Sequence, residues 1–136
     1  MSGKLRAGVI GLGILGSQHA EFMAGHANVT LEAVADIRGE TANAVAATYG
    51  AEAYTDYAQM LAAHTLDLVV VATPDPLHKN PTLAALKAGV HAVFQEKPLA
   101  TTLADAEAIY EEVERRGARL FVNYANRAAP LDMATR

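Results

Sequence analysis

The sequence predicts a doubly wound α/β fold, in which helices cover both faces of a parallel β-sheet in a three-layer α/β/α arrangement. Apolar strand-like segments alternate with helix-like segments along the 136 residues, and this alternation is typical of βαβ units. The clearest strand, Leu66–Ala72, is apolar at nearly every position, which indicates burial on both faces of a parallel sheet. A chain of this length corresponds to one domain with a substantial core.

Short apolar runs predict the strands, and runs bounded by glycine, proline or a capping residue predict the helices. In chain order the first half contains strand Leu5–Ile10, helix Leu15–Gly25, strand Val29–Ala35, helix Glu40–Tyr49, strand Ala51–Tyr54 and helix Tyr57–Ala63. Gly50 ends the second helix, and Asp56 precedes the third, where its carboxylate can accept a backbone N–H.

The second half of the chain repeats the alternation of strands and helices. It contains strand Leu66–Ala72, helix Pro81–Ala88, strand Val90–Phe94, a helix that opens at 101–105 and runs through Arg116, and strand Ala118–Tyr124. Thr102 and Asp105 have the spacing of a capping box. Parallel strands joined by right-handed crossovers predict the strand order 3-2-1-4-5-6, with ligands at the carboxyl ends of the strands.

Three glycines lie where the first strand leads into the first helix. Gly11, Gly13 and Gly16 match the pattern G-x-G-x-x-G, and Asp36 follows the second strand, twenty residues after Gly16. Gly11 allows a tight turn, Gly13 lets the backbone approach a pyrophosphate, and Gly16 lets the helix lie close to the strand. The helix directs its N–H groups and positive dipole end at the phosphates. Together these features predict a dinucleotide-binding Rossmann domain rather than a glycine-rich turn without a ligand.

The residues around the acid predict which dinucleotide is bound. Asp36 can accept hydrogen bonds from both hydroxyls of the adenosine ribose, and its charge would repel a 2′-phosphate. NAD is therefore the predicted cofactor, while Arg38 could pair with a 2′-phosphate and keeps NADP open. Ile14, Leu15 and Ile37 flank these positions and are predicted to contact the cofactor as well.

The segment Glu96-Lys97-Pro98 follows the fifth predicted strand, at the edge where the ligand is expected. Lys97 can donate a proton, bind a substrate oxygen or supply a local positive charge. Pro98 restricts Lys97 to extended backbone, which sets the direction of its side chain. From the residues alone, an exposed ion pair between Glu96 and Lys97 explains the segment equally well.

Four segments, in this order, resemble the amino-terminal domain of the glucose–fructose oxidoreductase, inositol dehydrogenase and MocA family. They are Gly11–Ala20, Val34–Asp36, Val71–His78 and Glu96–Ala100, and the tail Phe121–Arg127 matches as well. The resemblance covers nearly the whole chain, and the combination of Thr-Pro-x-x-x-His with Glu-Lys-Pro is specific to this family.

The resemblance implies reversible hydride transfer between NAD(P) and a sugar, a polyol or a similar alcohol. It implies that Thr73, Pro74 and His78 lie near the ribose and the nicotinamide. It also implies that Lys97 lies beside the nicotinamide and contacts the substrate hydroxyl, with Glu96 as a positioning residue.

Members of the family are longer than this chain and carry a second domain with substrate-binding and proton-transfer residues. We expect a dinucleotide-binding domain over residues 1–127 and the start of a connecting helix or tail over 128–136. Gln95 and Ala128 stand where the family more often has an apolar residue and a bulky aromatic, which favours an isolated or redesigned domain that is catalytically incomplete. A homodimer could then cover the face left by the second domain.

Three other interpretations stay open on the sequence. A self-sufficient NAD(P)-dependent oxidoreductase would use Lys97 alone, although catalysis needs groups on both sides of the reacting carbon. A domain that binds S-adenosylmethionine would use the same glycine turn and acid, although the third glycine favours a pyrophosphate. The third is a fold that binds no ligand.

Composition argues against several classes of partner. The chain has 11 Lys and Arg residues against 15 Asp and Glu residues, with a net charge of −4, so neither nucleic acid nor an anionic membrane is expected as a partner. It has no cysteine, and its histidines lack the spacing of metal sites, so no metal is predicted. Because no apolar stretch approaches the roughly 20 residues of a membrane span, a cytoplasmic location is expected.

Overall fold

A six-stranded sheet forms the centre of the protein in the computed structural model, which describes residues 3–74, 77–97 and 99–123, with only the backbone of Asn123. In chain order the elements are β1 (Leu5–Ile10), α1 (Ile14–Gly25), β2 (Val29–Ala35), α2 (Gly39–Tyr49), β3 (Glu52–Tyr54), α3 (Tyr57–Ala63), β4 (Leu68–Val71), α4 (Lys79–Lys87), β5 (Ala92–Glu96), α5 (Leu103–Arg116) and β6 (Arg119–Asn123). The strand order is β3-β2-β1-β4-β5-β6, and every neighbouring pair is parallel. The predicted fold class and strand order are therefore confirmed.

Helices cover both faces of the sheet, and each face has its own apolar core. On one face, Met23 of α1 packs in the same cluster as Val70 of β4, together with residues of α2. On the other face, Met60 of α3 and Leu86 of α4 pack with Val71, and α5 adds to the same cluster. The three layers match the predicted α/β/α arrangement, because strands buried on both sides need a helix layer on each side.

The side chains of β5 alternate between these two cores. Val93 belongs to the core under α3, α4 and α5, and Phe94 packs against the core under α1 and α2. Since strand side chains alternate with a period of two, Gln95 lies on the face of Val93 and Glu96 on the face of Phe94. Two consecutive polar residues at the end of β5 are thus directed to opposite faces of the sheet.

The predicted element boundaries agree with the structure to within two residues, and β1, β2 and α3 agree at both ends. The strand predicted at 90–94 begins and ends two residues too early, because β5 spans Ala92–Glu96. The Val90 N–H donates to the Ala85 carbonyl at 3.1 Å, so Val90 completes the end of α4. A buried apolar residue at a helix end cannot be distinguished from a strand residue by periodicity alone.

Several sequence-based expectations fall on residues whose structure is not described. They are the proposed boundary between residues 127 and 128, Pro98 of the Glu-Lys-Pro segment, Asp75 and Pro76 of the loop before α4, and Tyr124. The expected domain organisation therefore stays a prediction.

The turn between β1 and α1 depends on two glycines. Gly11 has a φ of 92°, and a Cβ at this position would lie 2.7 Å from backbone atoms of Ala72 and Thr73. A Cβ on Gly16 would lie 1.7 Å from the carbonyl oxygen of Gly11. The first turn of α1 therefore packs directly on the backbone that leaves β1, and this contact determines where the helix can lie.

Substituting Gly16 by alanine should lower the free energy of unfolding by about 3 kcal/mol, because the new methyl group meets a backbone oxygen that cannot move independently. Urea unfolding followed by far-ultraviolet circular dichroism measures the change. Gly25→Ala, at the other end of α1, is the matched control, because nothing lies within 4 Å of its Cβ position. Equal stability of the two variants would contradict the proposed packing.

Candidate functional site

Two adjoining cavities open at the carboxyl ends of β1, β2 and β4. The smaller, of about 210 Å³, is lined mainly by apolar side chains that include Ile37, Tyr57 and Leu77. The larger, of about 690 Å³, follows the glycine turn and the start of α1. Because Asp36 and Thr73 line both, the cavities form one cleft. This cleft lies where the strand order reverses, which is the usual ligand site of an open parallel sheet.

The amino-terminal end of α1 borders the cleft with backbone donors that no side chain caps. The helix begins at Ile14, and its first turn carries neither a side-chain cap nor an acidic residue. Gly13, Ile14 and Leu15 line the larger cavity, and nothing lies within 4 Å of the Cβ position of Gly13. The first N–H groups of a helix have no acceptor within it, so this end can bind a pyrophosphate.

The Asp36 carboxylate is largely buried and accepts hydrogen bonds on both oxygens. Its Oδ2 accepts from the Leu12 N–H at 2.7 Å, and its Oδ1 accepts from the Arg38 N–H at 2.8 Å. The Arg38 guanidinium donates from Nε to Oδ1 at 3.1 Å and from an Nη to Oδ2 at 3.4 Å. Asp36 thus ties the glycine turn to the loop after β2, while Arg38 uses acceptor positions that ribose hydroxyls would need.

These contacts determine the charge state of Asp36. Burial by itself would raise the pKa of the carboxyl, but hydrogen bonds from Arg38 and from the Leu12 N–H outweigh burial and hold the pKa below its ordinary value of 3.8. Asp36 is therefore ionised at neutral pH. An ionised carboxylate is an acceptor only, as binding of a ribose diol requires.

The loop after β4 lines the cleft with some of its residues and buries another. Thr73 and Pro74 line both cavities. His78 is 1% exposed, and its Nε2 lies 2.6 Å from the Thr73 carbonyl oxygen. Because only a ring N–H can donate to a carbonyl, this contact places the proton on Nε2. The buried ring of His78 therefore holds the backbone of the loop through Thr73, and it does not face the cleft.

The end of β5 carries the residues of the Glu-Lys-Pro segment that the structure describes. Lys97 is exposed, immediately beyond the strand. Glu96 is the last residue of β5 and is 6% exposed. Its Oε2 lies 2.6 Å from Nε2 of His19 on α1, so the buried carboxylate is held by a helix that begins at the glycine turn.

Sequence reasoning missed two residues of this region. His19 receives no role in the sequence-based prediction, but it lies three residues after Gly16 and one before the buried Ala20, so helical spacing does direct it towards the sheet. Gln95 was noted only as unusual, but it is fully buried and hydrogen-bonded. Its position in the register of β5 is the signal that could have found it.

The structure brings most of the predicted cofactor residues together. Those that line the cleft are Gly11, Gly13, Ile14, Leu15, Asp36, Ile37, Arg38, Thr73 and Pro74. Gly16 lies behind the glycine turn, His78 and Glu96 are buried beside the cleft, and Lys97 is exposed at the end of β5. The role of each residue in cofactor binding stays a prediction.

Two further observations concern the described residues alone. Across residues 3–74, 77–97 and 99–123, no group of three or more His, Asp or Glu side chains is arranged to hold a metal ion. In the same ranges, none of the helices is both long and apolar enough to cross a membrane.

The fold and the cleft define a nucleotide-binding Rossmann domain, and comparison with known proteins gives its family. The model of the family that includes glucose–fructose oxidoreductase, inositol dehydrogenase and MocA, described as an oxidoreductase family with an NAD-binding Rossmann fold, matches residues 5–124. The chain belongs to this family. It is an NAD-binding domain of the oxidoreductase type, and the match argues against S-adenosylmethionine as its ligand.

Individual relatives agree with the family. The inositol 2-dehydrogenase/D-chiro-inositol 3-dehydrogenase of Shouchella clausii is 41% identical over 121 residues, which cover 85% of this chain and 34% of the relative. Inositol 2-dehydrogenase of Salmonella typhimurium is 34% identical over 119 residues, covering 85% of this chain and 35% of the relative. The chain thus spans about a third of the length of these relatives.

A solved structure with bound ligands is also similar. The WlbA dehydrogenase of Bordetella pertussis, in complex with NADH and UDP-GlcNAcA, has a TM-score of 0.87 and 32% identity. The match covers 96% of this chain and 41% of that chain. The similarity therefore extends over nearly all of the domain described above.

The low pKa of Asp36 predicts a specific dependence of stability on pH. Because the pKa is lower in the folded protein than its ordinary value of 3.8, the stabilisation is fully present above pH 3.8 and is lost as the pH falls through the folded value. Asp36→Asn should therefore be less stable than the parent protein at pH 6, and the difference should shrink towards about pH 2.

Urea unfolding at several pH values measures this difference. Arg38→Met is the matched variant, because it removes one partner of the carboxylate and should show part of the same dependence. A difference between parent and Asp36→Asn that stays constant with pH would show that the carboxylate does not carry the effect.

Proposed function

We propose that this chain binds NAD across the cleft and provides the cofactor side of reversible hydride transfer to and from a sugar or polyol hydroxyl. The observation that carries the proposal is the uncapped start of α1 next to open space at Gly13, with the ionised Asp36 beside it. A pyrophosphate needs the first feature and a ribose diol needs the second. Family membership supports the cofactor, and the inositol dehydrogenases among its relatives support the substrate class.

The two cavities support one orientation of the cofactor. The smaller cavity is apolar and lies beyond Asp36, so it suits the adenine ring. The larger cavity follows the start of α1 and suits the pyrophosphate and the sugars on either side. The nicotinamide would then extend past Thr73 towards the end of β5, where Lys97 is exposed.

In this proposal NAD supplies the chemistry of accepting and returning a hydride. Lys97 would contact the substrate hydroxyl, so that its ammonium group donates a hydrogen bond to the oxygen or its neutral amine accepts the hydroxyl proton. The described residues thereby account for cofactor binding and for one group next to the reacting alcohol.

Asp36 favours NAD over NADP, and Arg38 keeps this preference from being absolute. Its guanidinium pairs with Asp36, and its side chain is 61% exposed, so it can move away when a ribose binds. Its release leaves the contacts of Asp36 with the backbone N–H groups of Leu12 and Arg38 in place. Once released, the same guanidinium can pair with a 2′-phosphate, and NADP should bind more weakly than NAD because Asp36 repels that phosphate.

Titration with NADH tests the proposal directly. The chain has no tryptophan, so NADH emission can be followed without interference from indole. Gly13→Val should keep the fold and weaken NADH binding by roughly ten- to a hundredfold, because the side chain fills the space for the phosphates and removes charge-assisted hydrogen bonds worth about 1.5–3 kcal/mol each.

Gly25→Val, at the far end of the same helix, is the matched control and should bind NADH like the parent protein. Parallel titrations with NADPH and with S-adenosylmethionine give the cofactor preference. Absence of NADH binding at millimolar concentration by a folded parent protein would refute the proposal and favour a fold that binds no ligand.

A self-sufficient oxidoreductase is the second candidate, and the exposed Lys97 is the observation that favours it. It predicts turnover of a small alcohol by this chain alone, lost in Lys97→Ala. The cofactor-domain proposal instead predicts that Lys97→Ala leaves NADH affinity nearly unchanged and that the parent chain shows no turnover above background.

We also propose that two copies of the chain associate through exposed apolar side chains at the rim of the cleft. Ile14 is 81% exposed, Ile37 is 87% exposed and Leu77 is 55% exposed, and such side chains cluster at interfaces. Light scattering should give a mass that rises towards the dimer with concentration, and Ile37→Ser should reduce this rise. A monomeric mass at the highest concentration would exclude the dimer.

Two further parts of the proposal follow from composition. We propose a cytoplasmic location, supported by the absence of cysteine, since the fold needs no oxidising compartment. We propose that nucleic acid is not a partner, because the net charge of −4 gives no general attraction to phosphate backbones.

A further inference from the structure

Two consecutive residues at the end of β5 are buried and hydrogen-bonded on opposite faces of the sheet. Gln95 is 0% exposed and Glu96 is 6% exposed, and Lys97 follows them at the surface. Polar side chains are costly to bury unless they are hydrogen-bonded. Their partners therefore indicate what holds the backbone from which the Lys97 side chain extends.

On the face of α1, the partner of Glu96 is His19. The distance between Nε2 of His19 and Oε2 of Glu96 is 2.6 Å, and their side chains are 22% and 8% exposed. The His19 ring also packs edge-on against Phe94, with ring centroids 5.3 Å apart. A short contact between two mostly buried groups restricts both side chains, so the end of β5 is tied to the helix that starts at the glycine turn.

On the opposite face, the amide of Gln95 connects three other segments. Its Oε1 accepts from the Thr82 hydroxyl of α4 at 2.7 Å. Its Nε2 donates to the Leu99 carbonyl at 2.5 Å and lies 3.4 Å from Nδ1 of His78. Since Nε2 of His78 donates to the Thr73 carbonyl, Nδ1 is the acceptor nitrogen of the ring. One buried amide therefore joins α4, the loop between β4 and α4, and the chain just after Lys97.

We propose that the His19–Glu96 contact and the Thr82–Gln95–His78 network are positioning groups for Lys97, which they hold from the two faces of the sheet at a fixed place relative to the bound cofactor. This inference rests on the proposed function, since it takes Lys97 to lie beside the nicotinamide. The His19–Glu96 contact connects the end of β5 to α1, whose first turn would bind the pyrophosphate. The Thr82–Gln95–His78 network connects it to Thr73 in the cleft.

The flexibility of the Lys97 side chain is the reason why the backbone that carries it has to be held in place. An exposed lysine has a flexible four-carbon side chain that ends in a strongly hydrated ammonium group. The ammonium group therefore explores many positions, and more of them if the backbone is not fixed. Hydride transfer depends on placement of reacting groups to within a fraction of an ångström. Hydrogen bonds of Glu96 on one face of the sheet and of Gln95 on the other prevent the end of β5 from tilting towards either helix layer.

Solution NMR of the 136-residue chain can test this inference without turnover. The probe is the 13Cε resonance of Lys97, assigned with Lys97→Arg and recorded with and without saturating NADH. His19→Phe removes the hydrogen bond to Glu96 but keeps a ring against Phe94, and His19→Gln restores a donor. Thr82→Val removes the hydroxyl that orients Gln95 while keeping the side-chain shape.

We expect NADH to shift the Lys97 signal in the parent protein. In His19→Phe and Thr82→Val the NADH dissociation constant should stay within roughly threefold of the parent value, while the shift of Lys97 falls to about half or less. His19→Gln should recover most of the shift. The matched controls are His26→Phe, just after α1, and Thr48→Val, whose hydroxyl donates to the Ala44 carbonyl on the exposed part of α2. Both should behave like the parent.

Two results would overturn the inference, and they differ in what they say of the proposed function. An unchanged Lys97 response in both His19→Phe and Thr82→Val would refute the positioning role and leave cofactor binding intact. NADH binding by the parent protein with no response of Lys97 would refute both the positioning role and the proposed place of Lys97 beside the nicotinamide.

Discussion

The contact between the first turn of α1 and the glycine turn is the constraint on which the site depends. Gly16 lies so close to the Gly11 carbonyl that no side chain fits between them. This contact places the helix start at the end of β1, with its uncapped N–H groups beside the cleft. The same helix carries His19 to the end of β5, so its placement affects both the helix start beside the cleft and the strand end that precedes Lys97.

Asp36 has a structural role in this protein, and the proposed function adds ribose binding through the same two oxygen atoms. Its contact with the Leu12 N–H holds the glycine turn against the end of β2, which is a structural function. The remaining acceptor positions are used by Arg38 through its backbone and its guanidinium. Because the guanidinium is the exposed partner, it is the one that a ribose can replace, and the backbone contacts can stay. In the proposed function, Asp36 would keep the glycine turn in place while ribose hydroxyls replace the guanidinium as its hydrogen-bond partners.

Local sequence patterns were sufficient for the fold and for the floor of the cleft. Alternating apolar runs with right-handed crossovers predicted the sheet order. Glycine spacing with Asp36 predicted the cleft residues of the first and second strand ends, and the family resemblance predicted Thr73 and Pro74. The bounds of β5 were predicted two residues too early, since Val90 is apolar but belongs to the end of α4. His78 was placed by resemblance near the cofactor, and only the packed structure revealed that its ring lies under the loop.

By itself, the sequence determined the class of fold, the edge of the sheet where the cleft lies and the chemical type of the cofactor. These follow from periodicity and from short motifs in which each residue acts through its own backbone or an adjacent turn. Tertiary structure alone decided how the end of β5 is held, because Glu96 meets a histidine 77 positions away in the chain and Gln95 joins segments from two loops and a helix. Such contacts leave no local pattern, since they arise only when the strands and helices are packed in three dimensions.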